Sequence, residues 1–106
     1  MKTLGKYTFA RCSNLREVIF EPESQLERIE RGCFIECALE EIVIPKSVQY
    51  IGESAFANCF CLSSIRFEEG SQLNYVGVRA FKETKLTPEN VKYPDTMNKD
   101  RYPVEW

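Results

Sequence analysis

The apolar positions of this chain recur with a long period of 22 to 25 residues, and phenylalanine marks the period most clearly. The members of this series are Phe9, Phe34, Phe56 and Phe81. Five positions before each of them lies an aliphatic residue: Leu4, Ile29, Ile51 and Val76, in that order. A period of roughly 20 to 50 residues is typical of solenoids and other repeat proteins. The chain is therefore predicted to fold as a stack of coils.

Two short segments in each repeat alternate apolar and polar residues, as strands with one buried face do. The first kind covers residues 26–29, 48–51 and 73–76, and the second covers 18–20, 42–44, 65–67 and, weakly, 91–93. The stretch around each phenylalanine is too short for a full helix, so we expect a turn of helix or 3₁₀-helix at this corner. The pattern predicts a mainly β solenoid of about four coils, with short parallel β-ladders and short helical or 3₁₀ corners.

Stacking must supply the core, because no single coil can bury its own phenylalanine and leucines. Like residues of successive coils should then form continuous interior columns. The solenoid is predicted to cover residues 1–94, with incomplete first and last repeats, and residues 95–106 to form a C-terminal tail or cap. The first coil shows no polar cap of the kind that solenoid ends need.

Composition restricts the chemistry that this chain can perform. Its 106 residues contain five cysteines and no histidine. The chain therefore lacks the usual proton shuttle, the commonest metal ligand and the base of Ser/His and Cys/His pairs. The acidic runs at residues 40–41 and 68–69 are adjacent pairs, and neighbours on a strand point to opposite faces. We expect solvated carboxylates, no enzymatic activity, no catalytic site and no cofactor.

The cysteines follow the repeat, since Cys12, Cys37 and Cys59 each come three residues after a phenylalanine of the series. This phase predicts an inward-facing ladder of free thiols and no metal site. One alternative is a zinc site, for which the spacing is poor; its ligands would be Cys33, Cys37, Cys59 and Cys61. Another is a disulfide between Cys37 and Cys59 across adjacent coils. Cys61 lies outside the phase and is expected to be exposed and reactive.

The repeat also resembles a known family. Residues 48–67 read VxxIGxxAFxxCxxLxxIxF, and Ile42-Val43-Ile44-Pro45 comes shortly before them. This pattern is similar to the BspA-type (Treponema-type) leucine-rich repeat, and the resemblance covers about residues 4 to 94. It implies a right-handed solenoid with a parallel sheet on its concave face. Family members are mostly bacterial and protist surface proteins implicated in adhesion, which implies binding to host proteins. The last repeat departs from the pattern, because Thr84 replaces the cysteine.

Outward-facing positions of the strands form the candidate binding surface. The column expected on the concave sheet consists of Ile19, Val43, Arg66 and Lys92. A second column on the other ladder consists of Arg28, Tyr50 and Tyr75. Arginine and tyrosine are enriched in protein-binding hot spots, although lateral packing between coils explains these residues about equally well. Trp106, at the end of the tail, is a further candidate because exposed tryptophan is unusual.

These observations favour a non-catalytic protein–protein interaction module with adhesin-like recognition. The alternatives are a structural unit that self-associates through its uncapped end, and a small intracellular regulator of a protein partner. The net charge of −2 indicates neither nucleic acid nor an anionic membrane as partner, and no apolar run is long enough for membrane insertion. We expect a cell-surface or secreted location for a fragment of a larger family member, and a cytoplasmic one if Met1 is the native start.

Overall fold

The computed structural model describes residues 2–97, and these residues contain six short parallel strands in two sheets. The strands are β1 (Thr3–Leu4), β2 (Arg28–Ile29), β3 (Glu41–Ile44), β4 (Tyr50–Ile51), β5 (Ser64–Phe67) and β6 (Tyr75–Val76). One sheet has the order β1-β2-β4-β6, and the other pairs β3 with β5. Each neighbouring strand is contributed by the next repeat along the chain, which is the arrangement of a solenoid.

The four-stranded sheet keeps equivalent residues of the repeat in register. Ile29 lies opposite Leu4 on one side and opposite Ile51 on the other, and Ile51 is followed by Val76. All of these aliphatic side chains are buried, whereas the residue before each one faces outward. The repeat solenoid with parallel strands, predicted from the period, is confirmed.

The second ladder is shorter than predicted. Among the described residues, only β3 and β5 pair on this face, and residues 18–20 and 91–93 form no strand. Val18, Phe20 and Tyr93 nevertheless pack against the core with their side chains partly buried. Both segments belong to outer coils of the described chain and have a neighbouring coil on one side only. Side-chain alternation therefore persists there without a regular ladder of backbone hydrogen bonds.

The corner around each phenylalanine is built differently from the prediction of a helical turn. No helix occurs within residues 2–97. Two residues per corner, placed two positions before and two positions after the phenylalanine, have positive φ angles between 56° and 62°. These pairs are Tyr7 and Arg11, Gly32 and Glu36, Ser54 and Asn58, and Arg79 and Glu83. In the first three corners, the amides of these residues donate to carbonyls of the adjacent coil, whereas a helix would direct them to carbonyls four residues back.

Backbone hydrogen bonds between coils replace helical ones at the corner. The Phe9 amide donates to the Cys33 carbonyl at 2.9 Å. The Phe34 amide donates to the Ala55 carbonyl, and the Phe56 amide to the Ala80 carbonyl, each at 2.8 Å. The buried corner thereby satisfies its backbone donors through the adjacent coil, as buried polar groups require.

Two glycines permit this close approach of the coils. A Cβ atom at Gly77 would lie 2.4 Å from the Glu53 backbone nitrogen. At Gly52 it would lie 2.6 Å from the backbone nitrogen of Arg31. Since both distances are far below van der Waals contact, these positions exclude any side chain unless the coils separate.

The phenylalanine series forms the central column of the core. Successive rings from Phe9 to Phe34, Phe56 and Phe81 stack with centroids 5.4, 5.4 and 5.9 Å apart. Phe34 and Phe56 are completely buried, and their ring planes differ by 8°. Offset stacking at this separation adds to the free energy of burying the rings. The predicted interior column of phenylalanines is confirmed.

The described chain continues the repeat slightly past the predicted solenoid boundary at residue 94. The Thr96 hydroxyl donates to the carbonyls of Ser71 and Leu73 at 3.2 and 2.7 Å. Ser47 makes the equivalent pair of bonds two repeats earlier, to Ser24 and Leu26. Met97, the residue after Thr96, is 5% exposed. The predicted tail or cap lies mostly outside the described residues, and its role stays a prediction.

Candidate functional site

The first candidate surface is the outward face of the β3–β5 ladder, which we call the sheet column and define as Ile19, Val43, Arg66 and Lys92. Val43 of β3 lies directly opposite Arg66 of β5 in the parallel register. Ile19 and Val43 line one hollow of about 110 Å³, together with Pro45. Arg66 and Lys92 line another of about 330 Å³. The structure therefore brings the predicted column together, although Ile19 and Lys92 lie outside regular strands.

Apolar side chains at one end of the sheet column are open to solvent. Ile19 is 80% exposed and Val43 is 42% exposed. The alternation in β3 explains the exposure of Val43, because Ile42 and Ile44 on either side point into the core. Arg66 and Lys92 are also exposed, so the column changes from apolar to cationic along the stack.

The second candidate surface, which we call the tyrosine column, consists of Arg28, Tyr50 and Tyr75. These residues are in register on β2, β4 and β6. The Arg28 guanidinium carbon lies 3.9 Å from the centroid of the Tyr50 ring, and the rings of Tyr50 and Tyr75 stack at 4.9 Å. Arg28 also donates from Nε to the Glu30 carboxylate at 2.8 Å, and this hydrogen bond raises the pKa of the guanidinium.

The tyrosine column makes internal contacts that the sheet column lacks. A cation–π contact and a ring stack occupy both faces of the Tyr50 ring, and both tyrosines are half-buried. The edge and hydroxyl of Tyr50 therefore offer the contacts available to a partner. This geometry favours lateral packing as the first role of the column. Trp106, the remaining candidate, lies outside the described residues, and its binding role stays a prediction.

The five cysteines carry no disulfide in the structure. Cys33, Cys37 and Cys59 are buried, Cys12 is partly buried, and Cys61 is exposed, as its position outside the repeat phase predicted. The thiols of Cys37 and Cys59 donate to the carbonyls of Phe9 and Phe34, each at 3.0 Å. Each bond joins one coil to the preceding one, so the cysteine ladder is part of the packing.

Burial makes the interior thiols poor nucleophiles and poor metal ligands. Desolvation raises the pKa of Cys33 and of Cys59 to about 12, and it also raises the pKa of Cys37. The thiolate is the species that attacks electrophiles and binds zinc. Within the described part of the chain, no three cysteine, aspartate or glutamate side chains are grouped as a metal ion would need.

The acidic pairs are placed as surface charges. Glu40, Glu41, Glu68 and Glu69 are all exposed. The Glu68 carboxylate accepts a hydrogen bond from the Lys46 backbone amide at 2.8 Å, which ties two coils together. This arrangement gives Glu68 a structural contact at the surface.

One surface feature was missed by the sequence reasoning. Phe60 is 65% exposed and lines a hollow of about 320 Å³ together with Ala38. Two residues separate Cys59 from Leu62, and two separate Cys12 from Leu15, but only one separates Cys37 from Leu39. The shorter coil leaves a notch between its longer neighbours. A comparison of repeat lengths at this position would have revealed it.

Comparison with known proteins agrees with the architecture. A family model described as a BspA type leucine rich repeat region matches residues 1–101 in six copies. The period predicts about four coils, and this coil count stays a prediction. In residues 2–97 we find no helix with the length and apolarity that crossing a membrane requires. No curated protein matches the chain in a sequence search.

A solved structure shares the fold. The crystal structure of the pneumococcal vaccine antigen PcpA aligns with a TM-score of 0.69 and 29% sequence identity. The alignment covers 79% of this chain and 26% of PcpA. The chain therefore spans about a quarter of the length of that antigen.

Proposed function

Because this chain belongs to the BspA-type leucine-rich-repeat family, we propose that it is a non-catalytic module that recognises another protein through the sheet column. The repeat family and the shared fold with a vaccine antigen support a protein-interaction module in general terms. The choice of the sheet column is based on its own geometry. Adhesin-like recognition is the finer form of this proposal, which the family resemblance implied.

The main reason to propose the sheet column as the binding surface is its exposed apolar pair, Ile19 and Val43. These side chains lie side by side around one hollow, with 80% and 42% of their surfaces open to solvent. Isolated exposed apolar residues are ordinary, but contiguous ones bordered by polar groups are typical of binding surfaces. The polar border here includes Glu21 and Glu68 around the same hollow. By contrast, Tyr50 and Tyr75 in the tyrosine column already contact each other.

A comparison of two surface variants tests this function. The wild-type protein, Ile19→Asp and Phe60→Asp are immobilised at equal density and exposed to an extracellular-matrix extract and a cytosolic extract. Each protein that the wild type retains is then purified, and its affinity for all three forms is measured by surface plasmon resonance. We expect several-fold weaker binding by Ile19→Asp and unchanged binding by Phe60→Asp, because Phe60 is also exposed but lies beside a different hollow.

Either of two results would contradict the proposal. Equal affinity of the wild type and Ile19→Asp shows that the sheet column is not used. Equal losses in both variants show that exposed apolar residues bind without selectivity. The type of extract that contains the partner separates surface adhesion from regulation inside a cell.

A second candidate function, self-association by stacking of coils, is supported by the environment of Phe9. Phe9 is partly buried, whereas Phe34 is completely buried between the rings of Phe9 and Phe56. A second copy stacked on this end would extend the phenylalanine column. Sedimentation equilibrium should then show a mass that increases with concentration, and a constant monomer mass up to the solubility limit would exclude stacking.

A further inference from the structure

We propose that the partner segment recognised by the sheet column is an extended acidic peptide, whose carboxylates contact Arg66 and Lys92 while an apolar residue packs on Val43. This inference rests on the proposed function and adds the chemistry of the partner. Its starting point is the charge distribution on the β3–β5 face. The cationic half of the column lies directly beside the apolar half, since Arg66 is in register with Val43.

The two cations share one hollow that has no acidic side chain in its lining. Arg66 and Lys92 border this space of about 330 Å³, and its remaining polar side chains are those of Ser64 and Asn90. Hydroxyl and amide groups can donate hydrogen bonds to a carboxylate. The hollow therefore presents cationic and neutral donors around one volume, which suits an anionic group.

Neither cation is neutralised within the part of the chain that the structure describes. The salt bridges there join Lys2 to Glu27, Arg11 to Glu36, Arg28 to Glu30, and Arg31 to Glu53. Arg66 and Lys92 take part in none of them. Among residues 2–97, these two neighbouring cations therefore have no salt-bridge partner that competes with an external anion.

Nearby carboxylates restrict how an acidic segment can lie. Glu68, Glu69 and Asp95 line the adjoining hollow on the other side of Lys92. Glu41 lies opposite Ser64 in the ladder, one coil before the cationic hollow. Repulsion from both groups confines the acidic side chains of a partner to the space between Arg66 and Lys92. The same repulsion favours an apolar residue of the partner next to Val43.

The dimensions of the column fit a short extended segment. Neighbouring strands are about 4.8 Å apart, so two coil steps from Val43 to the level of Lys92 span about 10 Å. An extended chain covers this distance in about three residues. A polyanion such as nucleic acid or a sulfated glycan fits less well, because its affinity comes from many cations, whereas this site has two on a protein of net charge −2.

Fluorescence anisotropy with synthetic peptides tests the inference. The probe is a fluorescein-labelled Leu-Val-Gly-Glu-Gly-Glu peptide, and its matched control is Leu-Val-Gly-Gln-Gly-Gln. We expect the glutamate probe to bind the wild-type protein about tenfold more tightly than the glutamine probe, a difference of about 1.4 kcal/mol. Added salt should weaken binding of the glutamate probe and leave that of the glutamine probe unchanged, since exposed charge interactions are screened.

Charge-reversal variants test whether binding of the glutamate probe depends on the sheet column. Arg66→Glu and Lys92→Glu should each weaken binding of the glutamate probe by about tenfold or more. Lys82→Glu is the matched control, because it makes the same charge change at an exposed corner position next to Phe81. We expect its affinity to stay within about twofold of the wild type. Circular dichroism melting of every variant establishes that all are folded before binding is compared.

Three results would overturn the inference. The first is equal binding of the glutamate and glutamine probes, and the second is equal loss in Lys82→Glu and Arg66→Glu. The third is tight binding of heparin with no binding of the glutamate probe, which would indicate a polyanion site. If retained proteins still depend on Ile19 while the glutamate probe does not bind, the proposed function stands and only the acidic chemistry is wrong.

Discussion

The interior phenylalanine column and the exposed sheet column follow the same repeat but differ in how much their residues vary. The interior column has phenylalanine at every level, whereas the sheet column contains Ile19, Val43, Arg66 and Lys92. Each interior ring must fit the identical ring above and below it, with centroids 5.4 to 5.9 Å apart. The exposed side chains face solvent and carry no such restriction. The repeated positions therefore determine the fold, and the varied ones can carry specificity for a partner.

Removal of one interior ring should cause the largest loss of stability and so test the contrast between the two columns most directly. Phe56→Ala deletes a fully buried ring that stacks on both Phe34 and Phe81. Loss of its burial and the resulting cavity should lower the free energy of unfolding by about 3–5 kcal/mol. Because the whole stability of a domain is about 5–15 kcal/mol, this change should remove a large share of it. Urea denaturation followed by circular dichroism measures the change.

Phe60→Ala is the matched control, since it makes the same chemical change four positions away on a 65% exposed ring. It should change the free energy of unfolding by less than about 0.5 kcal/mol. Similar losses in the two variants would show that the burial assigned to this repeat is wrong.

The cysteine ladder should make an intermediate contribution to stability, and this contribution should depend on pH. Burial raises the pKa of Cys59 to about 12, whereas a thiol in the unfolded chain titrates near about 8.5. Above the lower value the unfolded state loses the proton and the folded state keeps it, so stability falls as pH rises. The contribution of this thiol is complete below about pH 8.5, and roughly 2 kcal/mol of it should be lost by pH 10.

Other groups also titrate in this range, so the measurement must be a difference. Urea denaturation at pH 7 and at pH 10 is compared for the wild type and Cys59→Ala. The variant should be less stable at pH 7, because it loses the hydrogen bond to the Phe34 carbonyl. Its further loss at pH 10 should be smaller than that of the wild type. Parallel pH dependence in the two proteins would mean that the Cys59 thiol ionises in the folded state.

The sequence predicted those parts of the fold in which each coil repeats the contacts of its neighbour. The register of Ile29 and Ile51 and the phenylalanine column follow from the period alone. The corner was harder to predict, because its left-handed positions are occupied mostly by residues without a backbone preference for them. Gly32 and Asn58 fit positive φ angles, but Tyr7 and Arg11 gave no such signal. Contacts with the adjacent coil impose the conformation there.

The candidate site was predictable in position but not in its local shape. Alternation along the strands placed Val43 and Arg66 on the outer face, and the ladder has them opposite each other. The same alternation predicted a strand at residues 18–20, where the chain keeps the side-chain pattern without pairing. The notch beside Phe60 results from a length difference between neighbouring coils, which a search for constant spacing passes over.

Among the three stacked columns, the tyrosine column should show the smallest loss of stability, because its rings are packed on each other but half-exposed. Tyr50→Ala removes the cation–π contact with Arg28 and the stack with Tyr75 from a half-buried position. We expect a loss of about 1 kcal/mol, because such contacts are worth about 0.5–1.5 kcal/mol each and are weaker at exposed sites. Urea denaturation beside Phe56→Ala measures the difference, and Tyr50→Phe should retain nearly full stability because it keeps the ring.

Tyr50→Ala and Tyr50→Phe together also decide whether the tyrosine column acts as part of the core or as part of the binding surface. A loss in Tyr50→Ala as large as in Phe56→Ala would make the column a second core element. A small loss of stability, together with weaker binding of a retained protein by Tyr50→Phe, would show that the partner contacts the tyrosine hydroxyl. With unchanged binding in both variants, the stack of Arg28, Tyr50 and Tyr75 serves to cover the four-stranded sheet, and recognition is left to the sheet column.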